Sequence, residues 1–412
     1  MQSADYYYFP PALRVLTLIY LGVLYWSFNL QGLKKCNFPV ELILKVRPIK
    51  AKSQFRLFFI FCFGVLIPGI LTYWVVKDSD YAIHYRHVVS VCFILTFIIS
   101  IWPTSAVEGE LRKRFWKTIF LVTFPTSSTT ITFPQVLLAD ILTSYSRIFG
   151  DLVKIIYQIF ASFNSDEGVP KTWLDPLQLL TLIFVCLPFF LRFRQCLIEY
   201  SQSQYKMKKH LFNAIKYFTA FPVVILSSYV TKNNHLGEQS VWVYLFTNVS
   251  WSVKLWLLSI LVNSMYSFYW DIYMDWELAP LAAHCTLYSF PYFLRPTLLF
   301  EDPLIYYLSI GINFMLRITW TFNLSPHLSL QSAPLAVFLI QWLELTRRWL
   351  WVYFRVEREY IDQLRNTAGS PDEINNGATI NLENGINLEN GEEISLELQR
   401  SHTGNPQREE NF

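Results

Sequence analysis

Uncharged apolar stretches recur along the chain at the length of a bilayer crossing. Residues 15–33 and 57–76 contain no charged side chain, and each is long enough to cross a hydrocarbon core about 30 Å thick as a helix of roughly 20 residues. Further apolar stretches follow at 87–103, 117–132, 134–160, 176–200, 211–231, 240–268, 302–324 and 328–352, making ten. The weakest is 117–132: "FPTSSTTITFPQ" dilutes its apolar signal, and Pro125 and Pro134 admit a re-entrant or broken segment. Nine crossings with one partial crossing is therefore the alternative. The pattern predicts an all-α, polytopic membrane protein of about ten transmembrane helices.

Composition agrees with that reading. Of the 412 residues, 53% are hydrophobic, 17% aromatic and only 16% charged, too apolar for an ordinary soluble domain. No basic n-region with a small-residue cleavage site opens the chain, so "RVLTLIYLGVLYW" is expected to stay as the first helix. The six cysteines lie in or beside apolar segments without a CxxC or paired framework, as packing residues do.

The formal charge of +3 joins a basic body to an acidic tail. Residues 366–412 carry nine acidic and two basic side chains, leaving 32 basic and 22 acidic residues elsewhere. That tail repeats "INLENG" at 380–385 and 386–391 and has no aromatic before Phe412, so it is expected to be a disordered extension. Basic clusters at 192–210 and 347–358 belong on the cytosolic side by the positive-inside rule. Ten crossings then place both termini in the cytosol, although the basic residues 34–52 and 112–117 would face the other side.

Charges inside apolar stretches are costly and usually mark a substrate or ion pathway. Asp140, Thr143, Ser144, Arg147 and Asp151 lie on one predicted helix, with Asp140, Thr143, Arg147 and Asp151 spaced to share a face. Asn213, Lys216 and Tyr217 begin another, Arg317 lies in a third with Trp320 one turn on, and Glu344 precedes Arg347 and Arg348 by three and four residues near the end of the last. Asp271 and Asp275 close an apolar run among tryptophans and tyrosines. Bland readings stand beside these: an interfacial cluster for Glu344, Arg347 and Arg348, a structural Asp140 and Arg147 pair, a snorkelling Lys216 and a solvated start of a loop for Asp271 and Asp275. Recurrence of such charges on five helices favours a charged central pathway.

No nucleotide loop, GxSxG elbow or HExxH stands in the chain, so enzyme readings lack support and no cofactor or metal is expected. A metal-binding DxxxD at Asp271 and Asp275, in a lipid-linked transferase, is kept as a weak third reading. Nothing points to nucleic acid.

Taken in order, "IWPTSAVEGELRKRFWKTIF", "LLADILTSYSRIFGDL", "LPFFLRFRQCLIEYSQSQYKMKKHLFNAIKYF", "SFYWDIYMDWEL", "LRITW" and "LELTRRWLWVYFRVERE" resemble the EXS family. This is the membrane domain shared by XPR-type phosphate exporters and the yeast ER-retention-defective protein, and the likeness covers most of residues 10–365. It implies that residues 1–132 form four N-terminal transmembrane helices. Residues 133–365 would form an EXS domain whose six helices surround a path for inorganic phosphate, followed by the 366–412 tail. Carried over motif by motif, the path residues would be Asp140, Thr143, Ser146, Lys216, Tyr217, Asp271, Asp275, Arg317, Trp320, Glu344, Arg347 and Arg348. Thr143 stands where the exporters are expected to have asparagine.

About a dozen residues precede the first helix, so the SPX regulatory module of the exporters is not expected in cis. The resemblance is to the short branch, linked to the Golgi membrane, with the ER membrane as a second address. Its role there would be moving phosphate from lumen to cytosol, in support of glycosylation and of retaining glycosyltransferases and ER residents. The rival is a sorting receptor that holds Golgi glycosyltransferases, or binds coat proteins, without transporting. A homodimer is left open.

Overall fold

Backbone groups in lipid find no water, so apolar stretches of this length must satisfy their hydrogen bonds internally, as helices. The computed structural model describes residues 11–36, 38–44, 51–76, 93, 95, 96, 98, 109–125, 130–164, 174–233, 251–278, 294, 295, 298, 300, 302–318 and 334–368. Among them every regular element is helical. Trp320, the acidic tail beyond Ala368 and most of the predicted 87–103 stretch lie outside the described residues.

In chain order the elements are α1 (Pro11–Lys35), the short α2 (Val40–Ile43), and α3 (Ala51–Phe61), which runs through a π-helical turn at Cys62–Leu66 into α4 (Ile67–Val76). There follow α5 (Gly109–Thr123), α6 (Phe133–Thr143), α7 (Ser146–Asn164), α8 (Leu174–Gln202), α9 (Lys208–Phe218) and α10 (Ala220–Asn233). Then α11 (Trp251–Tyr269) passes into a second π-helical turn, Trp270–Asp275, before α12 (Pro303–Ile318) and α13 (Pro334–Ala368). The chain divides into two compact units, Met1–Arg358 and Glu359–Phe412. In the second, Gln363 and Arg365 bond back to Glu359 and Asp362 along the end of α13.

Among the described residues, three helical segments are long and apolar enough, by length and composition, to cross a membrane: Pro11–Lys35, Pro176–Gln202 and Lys208–Val230. Shorter apolar helices occur at Phe58–Thr72, Phe133–Thr143 and Pro303–Ile318. The outer surface is apolar and the interior partly charged, the reverse of a soluble protein. Val75, Phe63 and Trp251 are 81%, 68% and 77% exposed, whereas Asp140, Asp271 and Arg347 are 2%, 1% and 2% exposed.

Several predicted spans differ from the observed helices for local reasons. The 134–160 stretch is two helices: Ser144 and Tyr145 donate to the carbonyls of Ile141 and Leu142, tightened bonds to the third residue back that interrupt the α ladder. Arg147, expected on a face with Asp140, is exposed beyond that break. The 211–231 stretch divides at Thr219, because Pro222 has no N–H to continue the ladder. Residues 112–117, read as loop, sit inside α5, and the last helix runs past residue 352 to Ala368.

Packing places α1 in an apolar cluster that ties it to three other helices. Leu13, Leu16 and Leu18 of α1 join Phe61 of α3, Ile148, Ile155 and Ile159 of α7, and Leu345 of α13. A Cβ at Gly150 would lie 2.6 Å from Val185 and 3.2 Å from Thr181, so the glycine lets α7 and α8 approach closely. At the end of α5, the Arg194 guanidinium donates to the Thr123 carbonyl, one of the groups a helix end leaves unbonded.

Candidate functional site

The break between α6 and α7 determines what the charged residues can reach. Thr143 donates its hydroxyl to the Asp140 carbonyl at 2.7 Å, and Ser144, freed from regular helix, donates to Glu344 Oε1 at 2.7 Å. Both hydroxyls also accept from one guanidinium: Arg348 Nε lies 3.0 Å from Ser144 Oγ and Nη2 lies 3.1 Å from Thr143 Oγ1. The Arg348 plane sits over the Trp351 ring, 4.6 Å from its centroid. Ser144 therefore bridges Glu344 and Arg348, while Ser146 lies half-buried past the break.

Asp140 receives Arg192 Nε at 2.9 Å and the Tyr217 hydroxyl, which joins α6, α8 and α9. Arg192 also donates to Gln195 Oε1 at 2.9 Å and lies 3.7 Å from Glu199, whose carboxylate is 3.5 Å from His210. Arg192 belongs to the basic run 192–210, whose composition suggests solvated residues. It is instead 3% exposed, ten residues inside α8, where its charge requires the buried carboxylate beside it.

The π-helical turn carries the two aspartates inward. Lys216 Nζ lies 3.5 Å from Asp275 Oδ2 and is flanked by the rings of Tyr217 and Trp270, at 4.7 and 5.7 Å. Asp271 is used asymmetrically. Its Oδ2 accepts from Arg317 Nε at 3.1 Å and from Arg317 Nη2, from Arg347 Nη1 at 3.2 Å and from Asn313 Nδ2 at 3.3 Å. Its Oδ1 is buried and has no hydrogen-bond partner among the described residues. These aspartates are neither solvated nor at a free helix end, being 1% and 8% exposed.

Arg347 forms the centre of this half of the cluster. Its Nε and Nη2 grip Glu344 at 2.8 and 2.6 Å, a fork geometry that only arginine offers, while Nη1 reaches Asp271 and the Asn313 side-chain oxygen at 3.4 Å. Asp271 and Glu344 thus hold the cations in register. Of the predicted residues, Asp140, Thr143, Lys216, Tyr217, Asp271, Asp275, Arg317, Glu344, Arg347 and Arg348 are joined in this way. Ser144, noted on the same predicted helix as Asp140, joins them, and Arg192 and Asn313 are additions. Asn313 is 0% exposed four residues before Arg317, so the arginine's helical face was the available signal.

Among the described residues, Arg192, Lys216, Arg317 and Arg347 are each paired with a carboxylate, whereas the hydrogen bonds of Arg348 go to hydroxyls alone. A buried guanidinium that donates only to neutral oxygens is less fully neutralised than one in direct contact with a carboxylate, which favours an incoming anion.

Comparison with known proteins agrees with the resemblance read from the motifs. The chain is 28% identical over 366 residues to Protein ERD1 homolog 1 of Schizosaccharomyces pombe, covering 85% of this chain and 91% of that one. To Protein ERD1 of Kluyveromyces lactis it is 29% identical, over 55% and 58% of the two chains. To human Solute carrier family 53 member 1 it is 28% identical, over 66% of this chain and 38% of that longer protein. The EXS family profile matches residues 9–361. The match spans the helices that carry the buried charges and those that pack around them, and the chain belongs to the EXS family of membrane proteins.

Proposed function

We propose that this protein moves inorganic phosphate across the Golgi membrane, from lumen to cytosol, and in doing so supports glycosylation and the retention of glycosyltransferases and ER residents. The observation that carries the reading is Arg348, a buried guanidinium bonded, among the described residues, to the hydroxyls of Thr143 and Ser144 alone, in a cluster whose other cations have carboxylate partners. Phosphate brings one to two negative charges and several strong acceptor oxygens, which an arginine fork binds well. Release is as necessary as binding, and sites must hold an ion weakly enough to let it go. Asp271 and Glu344, by partly neutralising Arg317 and Arg347, supply that moderation.

The Asp271 Oδ1, without a hydrogen-bond partner among the described residues, adds selectivity. A carboxylate oxygen can accept a hydrogen bond from a protonated phosphate, whereas fully ionised sulfate has no such proton to give. Labelled phosphate uptake by the purified protein in liposomes, run beside sulfate, tests this. Saturable flux that favours phosphate, lost in Arg348→Gln while that variant still elutes as a folded protein, is expected. Arg348→Gln transporting like wild type would remove Arg348 from the mechanism. If the wild-type protein carries no phosphate, the sorting-receptor reading takes its place.

A further inference from the structure

A second buried ionic network abuts the first, and no step of the proposed transport uses it. Arg295 Nη2 lies 2.5 Å from Glu357 Oε2, and the Tyr306 hydroxyl donates to the other oxygen of Glu357. Arg295, Tyr306 and Glu357 are all at most 2% exposed. Their charges are not needed for packing: a buried ion pair is often no more stable than apolar side chains of the same volume. What the pair adds is geometry. Arg295 Nη1 donates to the Trp276 carbonyl at 2.6 Å, and the Trp276 indole N–H donates to the Trp351 carbonyl of α13 at 3.3 Å.

Trp276 is the residue that ends the π-helical turn bearing Asp271 and Asp275. That ending is an unfavourable piece of backbone. Trp276 N–H donates to the Asp271 carbonyl and Leu278 N–H to the Ile272 carbonyl, and between them Glu277 adopts a φ of 53°, rarely taken by residues other than glycine. Such a conformation persists where its surroundings over-determine it. Arg295 on the Trp276 carbonyl, Trp351 on the Trp276 indole and Arg358, 3.7 Å from Glu277, are those surroundings. Trp351 is also the ring on which Arg348 rests, so one assembly supports both the aspartate turn and the hydroxyl-held arginine.

We propose that Arg295 is a positioning residue for the anion site: clamped by Glu357 and Tyr306, it holds the Trp276 carbonyl and thereby the register of Asp271 and Asp275 against Lys216, Arg317 and Arg347. The proposal rests on the transport reading for its functional effect and on the geometry alone for its structural effect. Lysine keeps the charge opposite Glu357 but lacks the fork that reaches the carbonyl at the same time. Arg295→Lys therefore separates charge from positioning.

Two measurements on the full chain test it. Hydrogen–deuterium exchange in nanodiscs is expected to show the 267–278 segment exchanging at least about tenfold faster in Arg295→Lys than in wild type, with α1 unchanged; equal protection in the two proteins overturns the proposal whether or not phosphate moves. In the liposome assay, Arg295→Lys is expected to raise the KM for phosphate about tenfold or more while its maximal rate stays within about twofold. Wild-type KM in Arg295→Lys, or a fall in maximal rate matched only by a fall in melting temperature, also overturns it. Glu357→Gln, which removes the charge and turns one of the two acceptor oxygens into a donor, serves if Arg295→Lys does not fold, with the same directions expected and smaller shifts. No phosphate flux from wild type together with the exchange difference would remove the transport reading and leave the positioning intact.

Discussion

The two faces of α13 meet the rest of the protein by different chemistry. Trp342, Thr346, Trp349 and Tyr353, spaced four, three and four residues apart, turn toward α1. Tyr25 Oη shares a 2.7 Å hydrogen bond with Thr346 and accepts from the Trp342 indole at 2.8 Å, its ring stacks on Trp349 at 5.6 Å, and the Tyr353 hydroxyl donates to the Phe28 carbonyl at 2.9 Å. No charge takes part in these contacts. The other face presents Gln341, Glu344, Arg347 and Arg348 to Asp151, Ser144, Asp271 and Thr143. Neutral hydrogen bonds between helices in a membrane contribute about 0.6 kcal/mol on average and up to about 1.7, while stranding one member of a buried ion pair costs about 3–5 kcal/mol. The α1 face is thus a mount that tolerates loss contact by contact, and the charged face is a unit that stands or falls together.

The sharpest way to break this contrast is Arg347→Met. The change leaves the buried Asp271 and the part-exposed Glu344 each short of a cation, and a destabilisation of about 3–5 kcal/mol is expected. The measurements are the melting temperature in detergent and labelled phosphate flux, both expected to collapse. A variant that melts like wild type would mean that the charged face is not a unit.

A smaller effect is expected where the two faces meet. A Cβ at Gly22 of α1 would stand 1.7 Å from the Tyr145 hydroxyl and 3.0 Å from its ring carbon Cζ, so Tyr145 must shift to admit it. Tyr145 follows Ser144, which bonds both Glu344 and Arg348. Gly22→Ala is therefore expected to lower stability by about 1–3 kcal/mol, the range for overpacking a closed interior, and to reduce flux through the displaced serine. Loss of stability with wild-type flux would show that the α6 to α7 break is not coupled to α1.

Much of this arrangement was legible in the pattern of residues, and the exceptions share a cause. Helical apolar stretches and the charges within them are properties of the local chain, so the all-α membrane fold and residues such as Asp140, Lys216, Asp271 and Arg347 could be singled out before any contact was known. Arg192 could not, because it opens a basic run from 192 to 210 with the composition of a cytosolic helix end, and its burial comes from Asp140 on another helix. The break between α6 and α7 could not be read, because it is made by two shortened hydrogen bonds, without the glycine or proline that announces such breaks. Arg295 and Glu357 meet across more than sixty residues of chain, a separation no spacing rule reaches. Misreadings of this kind concern tertiary partners and the local breaks that aim side chains at them.

The mildest test removes a single oxygen from the mount. Tyr25→Phe keeps the ring against Trp349 but deletes the hydroxyl that bonds Thr346 and accepts from Trp342. The expected cost is about 1 kcal/mol, the net worth of a typical hydrogen bond, since Thr346 also donates to its own helix at the Trp342 carbonyl. Phosphate flux should be unchanged, because Tyr25 touches no charged member of the cluster. If instead Tyr25→Phe abolishes flux while its melting temperature holds, the position of α13 along α1 is itself part of the transport cycle. The aromatic face would then have to be counted with the charged one, as a surface on which α13 moves.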